Sequence, residues 1–181
     1  CLEAALPIDV ADKGIYLDDT KAIGQQVFDG AMGGRPVDRI VVTHLHPDHI
    51  GCAGWLAQEF DAPLWMTRGE YLLCRVLVAD TGRPTPIAGD RFYRGAGFSP
   101  GDMTRYHELF GMFGKYVSHI PESYHRLQAG DCFQVGSNQW QVLIGRGHSP
   151  EHACLFCAEL NLLISGDQLL PTISSNVSVY P

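Results

Sequence analysis

Apolar positions change their period near the middle of the chain. In the first half they recur at helical spacing, broken by short continuous runs. LDDTKAIGQQVFDG (17–30) predicts a helix with acidic residues at its start and Gly30 at its end. RPVDRIVVTH (35–44) is rich in β-branched residues and predicts a strand. IGCAGWLAQEF (50–60) is apolar at helical intervals, APLWMT (62–67) is a short strand, and RGEYLLCRVLVAD (68–80) is another helix. Residues 81–100 form a loop with turn chemistry in TGRPTP and GFSPGD. GDMTRYHELFGMFGKYVSH (101–119) predicts a helix with Asp102 near its start, weakened by Gly111 and Gly114. Residues 1–17 show no pattern that selects an element.

Beyond residue 124 the runs become short and are separated by turns. They are HRLQAGDCFQVGSNQWQVLIGRGH, HACLFCAEL and NLLISGDQLL, with hairpin signals at AGD and GSN. An α/β half followed by a strand-rich meander predicts layered sheet with helices outside. No repeat or low-complexity linker divides the chain, so 1–181 reads as one domain.

Composition narrows this picture only a little. At 181 residues, with 45% hydrophobic and 18% charged residues, the chain can bury a real core. A net charge of -7 without clustered Lys and Arg argues against a nucleic-acid surface. No apolar run is long enough to span a bilayer, so no membrane association is expected. The chain begins at Cys1 rather than Met, which leaves a processed or trimmed chain open. The six cysteines are irregularly spaced in mostly apolar context and read as reduced core residues of a cytoplasmic protein. Cys154 and Cys157 look like a metal or redox pair, but residues three apart on a strand face opposite ways.

The chemistry concentrates in THLHPDHIG (43–51), at the end of the first strand. His44 and His46 lie two apart, so in an extended segment both imidazoles point the same way and can reach one ion. Pro47 and the start of a helix then redirect Asp48 and His49 toward a neighbouring point. Imidazole and carboxylate suit zinc, and also iron or manganese. GRGHSPEH (145–152) offers His148 in a turn after another strand, and LLISGDQ (162–168) ends a further strand in Asp167. Loops at strand ends are where sites are built on such scaffolds.

THLHPDH at 43–49, GHSPEH at 147–152 and SGD at 165–167, in that order, resemble the metallo-β-lactamase superfamily of hydrolases. The resemblance runs from about Gly14 to the end. GGRP and ISSNVSVYP are similar to a bacterial subgroup close to glyoxalase II and to ribonuclease-like relatives. It implies an α/β fold of the four-layer αββα type. It implies that His44, His46 and His148 hold a first metal, that Asp48 and His49 face a second, and that Asp167 bridges. Zinc, two ions per site, is the implied cofactor. Two departures stand out. No histidine follows Asp167 to complete the second site, and the family's Asp-Thr-Gly reads Asp12-Lys13-Gly14. A trimmed chain lacking the C-terminal part of the family domain, or a piece supplied by a homo-oligomer, would account for the first. His152 is a substitute candidate, although the family's second histidine in this motif is not usually a ligand.

Two ions lower the pKa of a shared water and polarise the bond under attack. Asp48 is of the right type to orient that water and carry a proton to the leaving group. Residues 81–126 are the expected lid. Their aromatic residues suit an apolar acyl group in an ester, thioester or lactone, though any one of them fits a core as well. His119 and His125 are candidate pocket groups, and Arg83, Arg91, Arg94 and Arg105 candidate anion contacts or plain surface charges. Three functions compete. One is a metal-dependent hydrolase of a small-molecule ester-like bond, one a phosphodiesterase or ribonuclease of the same fold, and one a non-catalytic metal-binding fragment.

Overall fold

The computed structural model describes residues 17–30, 33 and 35–177. Its first half is a parallel three-stranded sheet in the order β1 (Ile40–Val41), β2 (Leu64–Thr67), β3 (His125–Leu127). Its second half is an antiparallel four-stranded meander of β4 (Cys132–Val135), β5 (Asn138–Gly145), β6 (His152–Cys157) and β7 (Leu162–Ile164). Parallel strands need crossovers. The first is made by α2 (Pro47–Ile50) and α3 (Ala53–Phe60), the second by α4 (Arg68–Ala79), α5 (Ile87–Gly95) and α6 (Pro100–Leu109). α1 (Leu17–Asp29) precedes them and sets Phe28 against Trp55 and Phe60 of α3.

Strand alternation sorts the apolar residues into two cores. Ile40, Val42, Leu64 and Met66 face the helices and pack with Ile50, Leu56, Tyr71 and Cys74. Val41, Trp65 and Leu127 point the other way, onto Phe133, Trp140, Val142 and Leu155 of the meander. The described residues therefore build helix, sheet and sheet in succession. The outer helical layer of the expected αββα arrangement is not among them. No described helix is long and apolar enough to cross a membrane.

Three expectations change. The strand over 35–44 keeps its ladder only at Ile40 and Val41, because Thr43 turns its carbonyl to the Ala153 N–H of β6 (2.8 Å) and so ties one sheet to the other. The long helix over 101–119 ends at Leu109. Gly111 has φ +69, which a right-handed helix does not tolerate, and only a 3₁₀ turn at Phe113–Lys115 follows. The loop over 81–100 contains α5, whose Tyr93 ring packs on Tyr106 of α6 while Asp90 pairs with His107. Tertiary contact with α6 supplies what its local sequence lacks.

Cys52, Cys74, Cys154 and Cys157 are buried free thiols, but Cys132 is exposed, contrary to a core role. Burial raises the Cys52 thiol and pushes that of Cys74 up to about 12, so neither is a ready nucleophile. Cys1 and the Asp12-Lys13-Gly14 stretch lie outside the described residues.

Candidate metal centre

The centre forms where the two sheets touch. His44 and His46 follow β1, and the extended His46 caps α2 with Pro47 at its first position. His148 sits in the turn between β5 and β6, and Asp167 in a 3₁₀ turn after β7. Gly166, at φ +47, precedes it. A Cβ there would stand 2.7 Å from the His152 ring, so this tight approach requires glycine.

Three ring nitrogens converge. His44 Nε2 lies 3.0 Å from His46 Nδ1, His46 Nδ1 lies 2.9 Å from His148 Nε2, and His148 Nε2 lies 3.1 Å from His44 Nε2. Ligand atoms about 2.0–2.1 Å from one ion stand about 3 Å from one another, so the triangle has metal-site dimensions. Proton counting agrees. His148 Nδ1 donates to the Asn176 carbonyl (2.9 Å), so in the neutral, ligating ring Nε2 offers its lone pair to the other two nitrogens. His44 Nδ1 is engaged by the Thr43 hydroxyl at 3.0 Å. Three mutual contacts would need three protons inside the triangle, and His148 supplies none. A cation satisfies all three lone pairs together.

Burial and the facing histidines hold His44 far below the usual imidazole range, and burial with His148 lowers His46. Both rings are thus neutral, which is the ligating form.

A second group adjoins the first. His49 Nε2 is 3.3 Å from Asp167 Oδ1 and 3.6 Å from Asp48 Oδ2, while Asp167 Oδ2 is 3.6 Å from His148 Nε2. Asp167 therefore spans the two groups, one oxygen to each. His44, His49 and Asp167 lie within reach of one ion. Asp48 touches this group only through His49, and its carboxylate is partly exposed. His152 does not substitute for the missing ligand. Its Nε2 accepts the Asp167 backbone N–H at 3.2 Å and its ring stacks on His44 at 4.5 Å. It is fully buried, and burial lowers it to about 4. It fixes the Asp167 backbone and belongs to neither converging group of nitrogen and oxygen atoms.

Sequence reasoning missed Glu70. This fully buried carboxylate reaches both histidine loops, accepting from Leu45 N–H, Ser149 Oγ and Glu151 N–H. Its only signal was an acidic residue in the first turn of a helix following an apolar strand.

A cavity of about 680 Å³ borders the triangle. His46 and His148 line it together with Leu73 and Leu77 of α4, Phe98, Tyr106 and Phe110. Asp80, Asp102 and Arg105 are its charged residues. Tyr93 and Phe113 line it as well, whereas the histidine candidates fall elsewhere. His125 stacks on Trp65, His107 pairs with Asp90 outside the cavity, and exposed His119 stands 4.0 Å from Glu122. Of the four arginines, Arg83 pairs with Asp80 and Arg105 alone lines the cavity.

Comparison with known proteins agrees with this geometry. The family model described as metallo-beta-lactamase superfamily matches residues 20–179. The chain belongs to that superfamily. It is 37% identical to a beta-lactamase domain protein from Burkholderia ambifaria, with a TM-score of 0.77 over 92% of this chain and 47% of that one. A metallo-beta-lactamase family protein from Thermus thermophilus is 26% identical, with a TM-score of 0.64 over 88% of this chain and 50% of that one. An uncharacterized protein from Aquifex aeolicus is 29% identical over 72% of this chain and 48% of its own length. The chain thus spans about half the length of these relatives.

Proposed function

We propose that this superfamily member is a metal-dependent hydrolase acting on ester, thioester or lactone bonds of a small molecule. The observation that carries the reading is the convergence of His44 Nε2, His46 Nδ1 and His148 Nε2 beside an apolar cavity. The donor set fits zinc, and iron or manganese as well. His44, His46 and His148 would hold the first ion, and His49 with Asp167 a second. Ions bound there would lower the pKa of water toward neutrality and polarise the oxygen of the bond under attack.

The remaining work falls to side chains. Asp48, at the edge of the second group, takes a proton from the attacking water and returns it to the leaving alkoxide or thiolate. Asp167 spaces the two groups and His152 fixes its backbone. Leu73, Leu77, Phe98 and Phe110 seat the apolar acyl part and exclude water beside the reacting carbonyl. An apolar cavity with one arginine suits such a group better than a polyanionic backbone, which wants a run of cationic side chains. This favours acyl chemistry over the phosphodiesterase alternative. A cytoplasmic site of action and assembly into a homo-oligomer remain part of the proposal.

The test is a substrate panel with metal analysis. Acyl thioesters and lactones should turn over in preference to bis(p-nitrophenyl) phosphate and nitrocefin. His46→Ala should weaken metal binding by more than about 100-fold, beyond the usual cost of losing an outer partner. Hydrolysis of the phosphodiester alone would replace the acyl reading. Bound metal with no turnover of any substrate would make the chain a non-catalytic metal binder.

A further inference from the structure

Glu70 has no place in the reaction proposed above, yet its carboxylate is fully buried. No lysine or arginine pairs with it among the described residues. Removing a charge from water without a cationic partner is costly, so its compensation must come from donors. Oε2 accepts from the Leu45 N–H at 3.0 Å. Oε1 accepts from the Ser149 hydroxyl at 2.6 Å and from the Glu151 N–H at 2.7 Å. The first turn of α4 adds a favourable dipole.

The positions of these donors matter more than their number. Leu45 lies between His44 and His46, and Ser149 directly follows His148. One carboxylate thus ties together two loops that carry all three imidazoles of the triangle and come from opposite ends of the sequence. The anchor itself is fixed. The Glu151 side chain accepts from the Gly69 N–H at 2.6 Å, and the Thr67 hydroxyl donates to the Glu151 carbonyl at 2.8 Å. Three neutral acceptors could satisfy the same donors separately, but they would not hold one loop against the other.

We infer that Glu70 is a positioning residue that sets the width of the histidine triangle and hence its affinity for a metal ion. The inference rests on the metal reading of the triangle but not on any substrate. Metal–ligand distances tolerate only about 0.2 Å, so a small splay of the two loops is felt at the ion.

Glu70→Gln tests it sharply. Each Glu70 oxygen faces a backbone N–H, so the amide group of glutamine must turn its own N–H toward another in either orientation. Glutamine keeps the shape and loses the tie. Zinc affinity, measured by competition with a chromophoric chelator on the folded protein, should fall about 10–100-fold. The visible spectrum of the cobalt-substituted protein should also change shape, which simple loss of stability would not cause. Wild-type affinity and an unchanged cobalt spectrum in folded Glu70→Gln would overturn the inference. Should that variant not fold, Ser149→Ala removes one donor and leaves the carboxylate bonded to both N–H groups. Zinc binding should then weaken about threefold or more, as for one lost hydrogen bond, and wild-type binding would overturn the inference. Wild-type protein is titrated first. If it binds no zinc, the metal reading itself fails, whereas tight wild-type binding matched by the variants removes Glu70 alone.

Discussion

A histidine beside another histidine is an uncomfortable neighbour unless something neutral or cationic lies between them. At His44, burial and four surrounding imidazoles all disfavour the proton. The ring is held in its ligating form before any ion arrives, so a metal need not displace a proton from it. Asp48 and Asp167 share chemistry but differ in placement. Asp167 spans the two groups with separate oxygens, while Asp48 lies against His49 and reaches His46 only through its field. Asp48→Asn should therefore leave metal at the histidine triangle and lower kcat by about 10²–10⁴-fold, the usual weight of a general acid–base group. Metal content and steady-state kinetics on the same sample check this. An equal loss of bound metal and kcat would make Asp48 chiefly a ligand.

At the scale of elements, the α5–α6 pair sets the cavity wall, and it stands on few local signals. α6 is capped by a reciprocal box in which Ser99 Oγ accepts from the Asp102 N–H and Asp102 accepts from the Ser99 N–H. The Ser99 hydroxyl, donating to Asp102 Oδ2 at 2.6 Å, and then the Ser99 N–H hold the Asp102 carboxyl below its usual range. Ser99→Ala should cost about 1 kcal/mol of stability at this cap, read as a lowered Tm. It should loosen the wall near Phe98 and raise KM for apolar acyl substrates more than it lowers kcat. Read as turn chemistry, GFSPGD puts this helix start at Gly101, one residue late and without the Ser99 cap. α5 is less visible, because its Tyr93 and Asp90 find their partners on α6 rather than within their own turn.

At the scale of the whole molecule, the buried histidines link stability to pH. In the metal-free protein His44, His46 and His152 all have lowered values, His152 at about 4. As pH falls below about 6.5 the unfolded chain takes up protons at these residues while the folded chain does not. The fold should be at full strength above that pH and lose stability steadily toward pH 4, seen as a falling Tm. Bound metal opposes this. At a hundredfold excess over Kd it should add about 2.7 kcal/mol, so a chelator should lower Tm. A Tm indifferent to both chelator and pH between 7 and 5 would count against a metal held by these rings.

How much could be read in advance follows the range of each interaction. THLHPDH, GHSPEH and SGD are short motifs at strand ends, and the two-apart spacing of His44 and His46 already aims both rings one way. Helix and strand alternation in the first half and the meander in the second follow from local period, and they led to the layered fold. Contacts across the sequence were not legible. The split of one apolar run into two cores appears only when Val41 and Val42 face different layers. That His152 accepts from the Asp167 N–H instead of joining the triangle depends on a residue fifteen positions on. The tie at Glu70 joins Leu45 to Ser149 through a residue that looks, in sequence, like any acid at a helix start. Local periodicity and motif spacing determined which residues could bind a metal. Only the meeting of the two sheets decided which of them converge, because a candidate coordination shell is a distance between loops and no local pattern encodes that.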